Sequence, residues 1–220
     1  MVASRGRKNY NRSKETMEKQ GGGDMNEAVE ILRQWAQQMQ EYDFVPWERL
    51  PEIDLYMDQV ITYMDRQLGS FQDAPKNRLL TSSMINNYVK DKVLERPQQK
   101  KYSKEHLAML TIICMLKPVL AIPDVASLLH YLLDNESKEA VYTAFCDSQS
   151  AAFSEICQRV LETSEQGESA LVRLAAVLSI EANVRRTAAE RIVRELVSRE
   201  QAAAETKSSK KPAKLPKTVK

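Results

Sequence analysis

The sequence predicts an all-α fold, and three observations carry that expectation. Glycine is scarce, with six in 220 residues and four of those before residue 24, whereas a sheet-rich fold needs turn glycines. Alanine, leucine, glutamate, lysine, glutamine and methionine, all good helix formers, are plentiful. Apolar residues recur at three- and four-residue spacing in one segment after another.

Residues 1–23 are polar and basic and end in three glycines, the composition of a disordered arm. Segment 24–49 reads as an N-terminal helix and a connector. Val29, Leu32, Trp35, Ala36 and Met39 give that helix its apolar spacing. Trp35, Tyr42, Phe44, Trp47 and Tyr56 then supply the aromatic surface that packs the first helix onto the core that follows. The second helix is expected over 53–68, with Ile53, Tyr56, Met57, Val60, Ile61, Met64 and Leu68 as its stripe. Gly69 and the polar run through Arg78 close it.

Thr81 or Ser82 caps a short helix over 81–91, with Met84, Ile85, Tyr88 and Val89 facing inward. Lys90 and Lys92 sit at its C-terminal end, where they suit the helix dipole. Residues 93–102, with Pro97 inside, form a short two-stranded ribbon or a bare loop. Ser103 caps the next helix without a full capping box, because His106 holds the N3 position. Leu107, Leu110, Ile113, Cys114 and Leu116 make that helix apolar on nearly every side, hence central. Pro118 ends or kinks it, and Pro123 opens another helix at the favoured first position. A C-terminal helical region over 134–205 divides at Gly167 into helices expected at 137–165 and 168–204. The tail, 206–220, holds six lysines and no acid, and is expected to be disordered.

Several function classes are excluded. No Gly-rich phosphate loop, nucleophile elbow or distinctly placed acid pair is present, so no catalytic residue and no enzyme are expected. Cys114, Cys146 and Cys157 are widely spaced, and with His106 and His130 they match no metal-ligand spacing. Neither metal nor cofactor is expected, and the thiols read as buried in a reducing compartment. No apolar run approaches a membrane span and no leader follows the basic start, so a cytoplasmic protein without membrane contact is expected.

Charge distribution says more than the net of +2. Between residues 76 and 104, eight cations face two carboxylates, a local net of +6. A helix, a turn, a short second helix, a basic ribbon and a further helix make a winged helix-turn-helix, and the expected partner is double-stranded DNA. Ser82, Ser83, Asn86, Asn87 and Lys90, with Thr81 at the cap, form the outward face that enters the major groove. Arg96, Gln98, Gln99, Lys100, Lys101 and Lys104 follow along the phosphates, and Tyr102 is a candidate contact whose first expected role, like that of Tyr88, is to pack the turn.

The same residues carry a resemblance. Leu80, Thr81, Ile85 and Tyr88, then Pro97, then Tyr102, Ser103, Glu105 and Leu107 follow a pattern similar to the DNA-binding domain of MerR-type regulators. Residues 47–132 more closely resemble an uncharacterised bacterial family, known only as a domain of unknown function, with this MerR-like core. The resemblance implies a MerR-like winged helix-turn-helix domain over 50–133, with a short β wing, and a transcriptional regulator that binds specific DNA sequences. It implies no small-molecule effector and leaves room for a homodimer. Asn86 stands where MerR-type proteins usually carry Arg, and Lys92 where they usually carry Gly. Two alternatives stay open: a helical protein-interaction adaptor of winged-helix shape, and a recombination or excision accessory factor.

Overall fold

A computed structural model describes residues 27–69 and 79–197. The arms 1–23 and 206–220, the cations Lys76 and Arg78, and the C-terminal end of the last expected helix lie outside those residues. The described chain divides into two compact units.

The larger unit holds Phe44–Asp147 and the residues described after Ala182. A 3-10 turn at Trp47–Arg49 follows Pro46. A strand, β1 (Leu55–Tyr56), leads directly into α2 (Met57–Leu68). The expected helix therefore begins four residues late. Ile53 is 73 % exposed and Tyr56 is 52 % exposed, so neither belongs to the stripe, which is Val60, Met64 and Leu68. Long-range pairing overrides the helical pattern here: Leu55 pairs with Tyr102 and Tyr56 with Lys101, antiparallel, across to β2 (Lys101–Tyr102).

Helix α3 (Ser82–Lys90) buries Ile85 and Tyr88, and α4 (Lys104–Leu116) buries an unbroken run from His106 to Cys114. A helix apolar on all sides belongs in a centre, and α4 packs against both α2 and β2. Thr111, the polar member of the run, donates back to the Leu107 carbonyl at 3.0 Å and so carries no unpaired hydroxyl into the core. Helix α5 (Ile122–Asn135) starts with proline in its first turn and buries Val125 and Leu129. The chain returns to α5 at its described end, where a π-helical turn, Val193–Val197, buries both valines.

The smaller unit joins residues 27–43 to Ser148–Glu181. Its helices are α1 (residues 27–40) and parts of α6 (Lys138–Ser164) and α7 (Glu168–Ile192). The first helix groups by its contacts with 148–181. Within α1, Ala36 and Met39 are buried, but Leu32 and Trp35 are each 41 % exposed. Gly167, at φ 87°, makes the break between α6 and α7 with a backbone that L side chains adopt at a cost. Arg159 grips Glu181 with two bonds of 2.8 and 3.0 Å across that break.

Candidate nucleic-acid interface

Local chemistry fixes both ends of α3. Thr81 accepts a hydrogen bond from the Met84 backbone N–H at 3.3 Å, so its hydroxyl oxygen serves the cap. At the other end Lys92 takes φ 59° and stops the helix. Val93 and Leu94 then donate their N–H groups to the Tyr88 carbonyl at 2.8 and 3.0 Å, which folds them back under α3, where both are buried. His130 Nε2 holds the Lys92 carbonyl at 2.9 Å. Burial pushes the Tyr88 phenol up to about 12, with Cys114 adding to the rise. Tyr88 is thus a packing residue, 4 % exposed. Ser82, Ser83, Asn86, Asn87 and Lys90 all point outward and are exposed, as the 3.6-residue period requires.

The ribbon is smaller than a wing of two full strands. Gln98 bridges Lys101 in an antiparallel pair, and the Lys101 N–H donates to the Gln98 carbonyl at 2.8 Å. Between them Gln99 and Lys100 take φ 50° and 65°. Two successive left-handed residues make the two-residue hairpin turn whose twist matches the flanking strands, a place usually held by Asn-Gly. With Lys92 they are the non-glycine residues of positive φ among those described. Arg96, Gln98, Gln99 and Lys100 are exposed.

Three of the candidate contacts have protein partners of their own. Tyr102 is 3 % exposed, its ring edge-on to His106 at 5.5 Å. Burial raises its pKa, and its strand partner is the buried Leu55, so it packs beneath the ribbon. Lys104 lies over the Trp47 ring at 5.0 Å, and Lys101 over the Tyr56 ring at 5.4 Å; both are half-buried cations on aromatic faces. The capping expectation at Ser103 is also corrected. His106 Nδ1 accepts the Ser103 backbone N–H at 3.1 Å, so histidine fills the reciprocal role usually given to Glu or Gln. Nδ1 as acceptor puts the ring proton on Nε2, and burial holds the His106 pKa below its ordinary value despite Glu95 nearby.

A groove of about 1450 Å³ brings Asn86, Lys90 and Arg96 together with residues distant in the chain. Its lining includes Glu95, Glu105, Asp134, Glu136 and Glu139. Those five carboxylates share the lining with the cations Lys90, Lys92, Arg96 and Lys138. Lys138 crosses the groove to bond Glu105 at 2.6 Å and Glu95 at 2.7 Å. Burial works against its charge, but the two carboxylates outweigh that and raise its pKa.

The arrangement defines a class: a small helical domain whose two-stranded ribbon closes between α2 and α4 and exposes a short polar helix. Residues 45–145 match the family model described as Domain of unknown function (DUF1836). No curated protein and no solved structure matches the chain. Among the described residues no group of three or more His, Cys, Asp or Glu side chains could hold a metal ion, and no helix is long and apolar enough to cross a membrane. Burial pushes the Cys114 thiol up to about 12, which leaves it inert.

Proposed function

We propose that this protein is a sequence-specific DNA-binding regulator, with α2, α3 and the ribbon acting as a MerR-like winged helix-turn-helix. In this reading Ser82, Ser83, Asn86 and Asn87 meet base edges in the major groove, while Arg96, Lys100 and Lys101 neutralise phosphates. The observation that carries it is the backbone of the 92–100 segment. Left-handed conformation costs an L residue about 1–2 kcal/mol, yet lysine or glutamine occupies all three such positions, at 92, 99 and 100. Strain retained at the exposed hairpin tip by Gln99 and Lys100 points to a use for those two polar side chains. Lys92 also gives the resemblance a structural meaning, since it takes the conformation suited to the glycine usual at that place in MerR-type proteins. The exposed Val172, Val177 and Ile180 of α7 offer an apolar surface for a second copy, which would double the half-sites engaged.

The test is selection of bound fragments from a genomic library by purified protein at about 0.15 M salt, with Lys100→Glu/Lys101→Glu run beside it. Enrichment of a shared site by the wild type alone is expected. Uniform retention that vanishes with salt would reduce the interaction to charge attraction and remove the regulator reading. Capture of a protein partner that the double variant leaves intact would favour the adaptor.

A further inference from the structure

We infer that the phosphate-contacting surface extends beyond the basic segment onto β1, with Tyr56 as a contact residue for the DNA backbone. The inference rests on the DNA-binding reading above and adds a residue that lies 42 positions before Gln98 in the chain.

The geometry comes from strand pairing. Residues directly opposite each other in an antiparallel pair point to the same side of the ribbon. Gln98 is opposite Lys101, and Lys101 is opposite Tyr56. The three side chains therefore stand in one row across three short segments. The alternate residues, Leu55 and Tyr102, point to the other side and are buried, at 9 % and 3 % exposed. The ribbon thus has one face committed to the core and one face turned outward. The outward row is an amide, an ammonium and a phenol.

Such a row suits a phosphodiester backbone. The Lys101 ammonium sits 5.4 Å from the centre of the Tyr56 ring, so the ring fixes a flexible cation in place before binding and lowers the ordering cost. A phenol donates well to an anionic oxygen, and tyrosine is among the side chains that position proteins on phosphates. Tyr56 is 52 % exposed, a large aromatic surface left open beside the cation. Its backbone is held independently, because the Tyr56 N–H donates to Gln59 Oε1 at 2.9 Å. The side chain can therefore be changed without releasing the start of α2.

Tyr56→Phe, Tyr56→Ala and Lys101→Gln test this in the full chain, by titration against the selected site and against random duplex at several salt concentrations. Tyr56→Phe keeps the ring beneath Lys101 and removes only the hydroxyl. It should weaken both DNAs about fivefold with the salt slope unchanged. Tyr56→Ala should weaken both by more than tenfold, and Lys101→Gln should lower the salt slope by about one. Circular dichroism and melting follow each variant, and Tyr56→Phe should melt with the wild type. If both Tyr56 variants bind like the wild type while Lys100→Glu/Lys101→Glu does not bind, Tyr56 is no contact and the DNA-binding reading survives. If the wild type itself retains no DNA, that reading falls, and this inference falls with it.

Discussion

The outer face of α3 and the tip of the 98–101 turn are both open to solvent, and they carry different chemistries. The α3 face presents hydroxyls and amides with one cation, Lys90, at its end. The turn presents Gln99 and Lys100 on a left-handed backbone, next to Arg96 and Lys101. Hydroxyls and amides distinguish base edges but contribute little long-range attraction. Ammonium and guanidinium groups attract any phosphate and distinguish nothing. If both surfaces meet DNA, one supplies the choice of site and the other the salt-dependent affinity.

The largest effect expected on that division is from Lys100→Glu/Lys101→Glu. Two cations become two anions, so binding should fall on the order of a hundredfold, or about 3 kcal/mol, on specific and random duplex alike. The fold should be retained, because Lys100 is exposed and Lys101 lies outside the core, with a small loss where Lys101 leaves the Tyr56 ring. A single cooperative melt close to that of the wild type beside lost gel retardation would show this. Asn86→Ala comes next. A lost bidentate amide contact is worth about 1–3 kcal/mol on the selected site, with random duplex unchanged. A loss shared by both DNAs would mean that α3 positions the protein and does not read bases.

What the sequence revealed of these surfaces follows from distance along the chain. The inward turn of Ile85 and Tyr88 and the outward turn of Asn86 and Asn87 are legible because a helix repeats within four residues. The all-round burial of α4 is legible for the same reason. Tyr56, expected in the apolar stripe of the second helix, is exposed because a strand pair 46 residues apart decides its place. Two residues of strand carry too little alternation to betray themselves inside a helical pattern. Lys138 gave no signal either: its partner Glu95 lies 43 residues away. The grouping of α1 with 148–181 is set by contacts over more than 100 residues, as in the Arg33–Ser164 bond.

Lys138 offers the next, smaller test. Its ammonium joins Glu95, at the base of the ribbon, to Glu105 in the first turn of α4. Both carboxylates are largely exposed, so solvent screens the network and Lys138→Gln should destabilise by about 0.5–1 kcal/mol. Thermal melts at low and high salt would check this, with the gap between variant and wild type closing as salt rises. The same change should weaken DNA retention slightly, since it frees two negative charges beside Arg96. Unchanged melting at low salt would mean that the ribbon is held by the Leu55–Tyr102 pairing alone.

The smallest effect separates cations kept for binding from cations that merely occupy a bend. Lys92→Gly relieves a left-handed lysine, while glycine returns part of the gain as chain entropy in the unfolded state. A net stabilisation of about 0.5 kcal/mol is expected, read as a higher denaturant midpoint with an unchanged slope. The His130 contact to the Lys92 carbonyl is a main-chain contact and survives the change. Lys100→Gly should stabilise the hairpin turn in the same way, because its φ of 65° is equally left-handed. The two variants part on DNA. Lys100 stands at the tip beside Gln99, so its loss should lower affinity and reduce the salt slope by about one. Lys92 lines the groove together with five carboxylates, so its loss should leave the slope where it was. A slope lowered by Lys92→Gly and not by Lys100→Gly would place the phosphate path along the groove rather than over the turn.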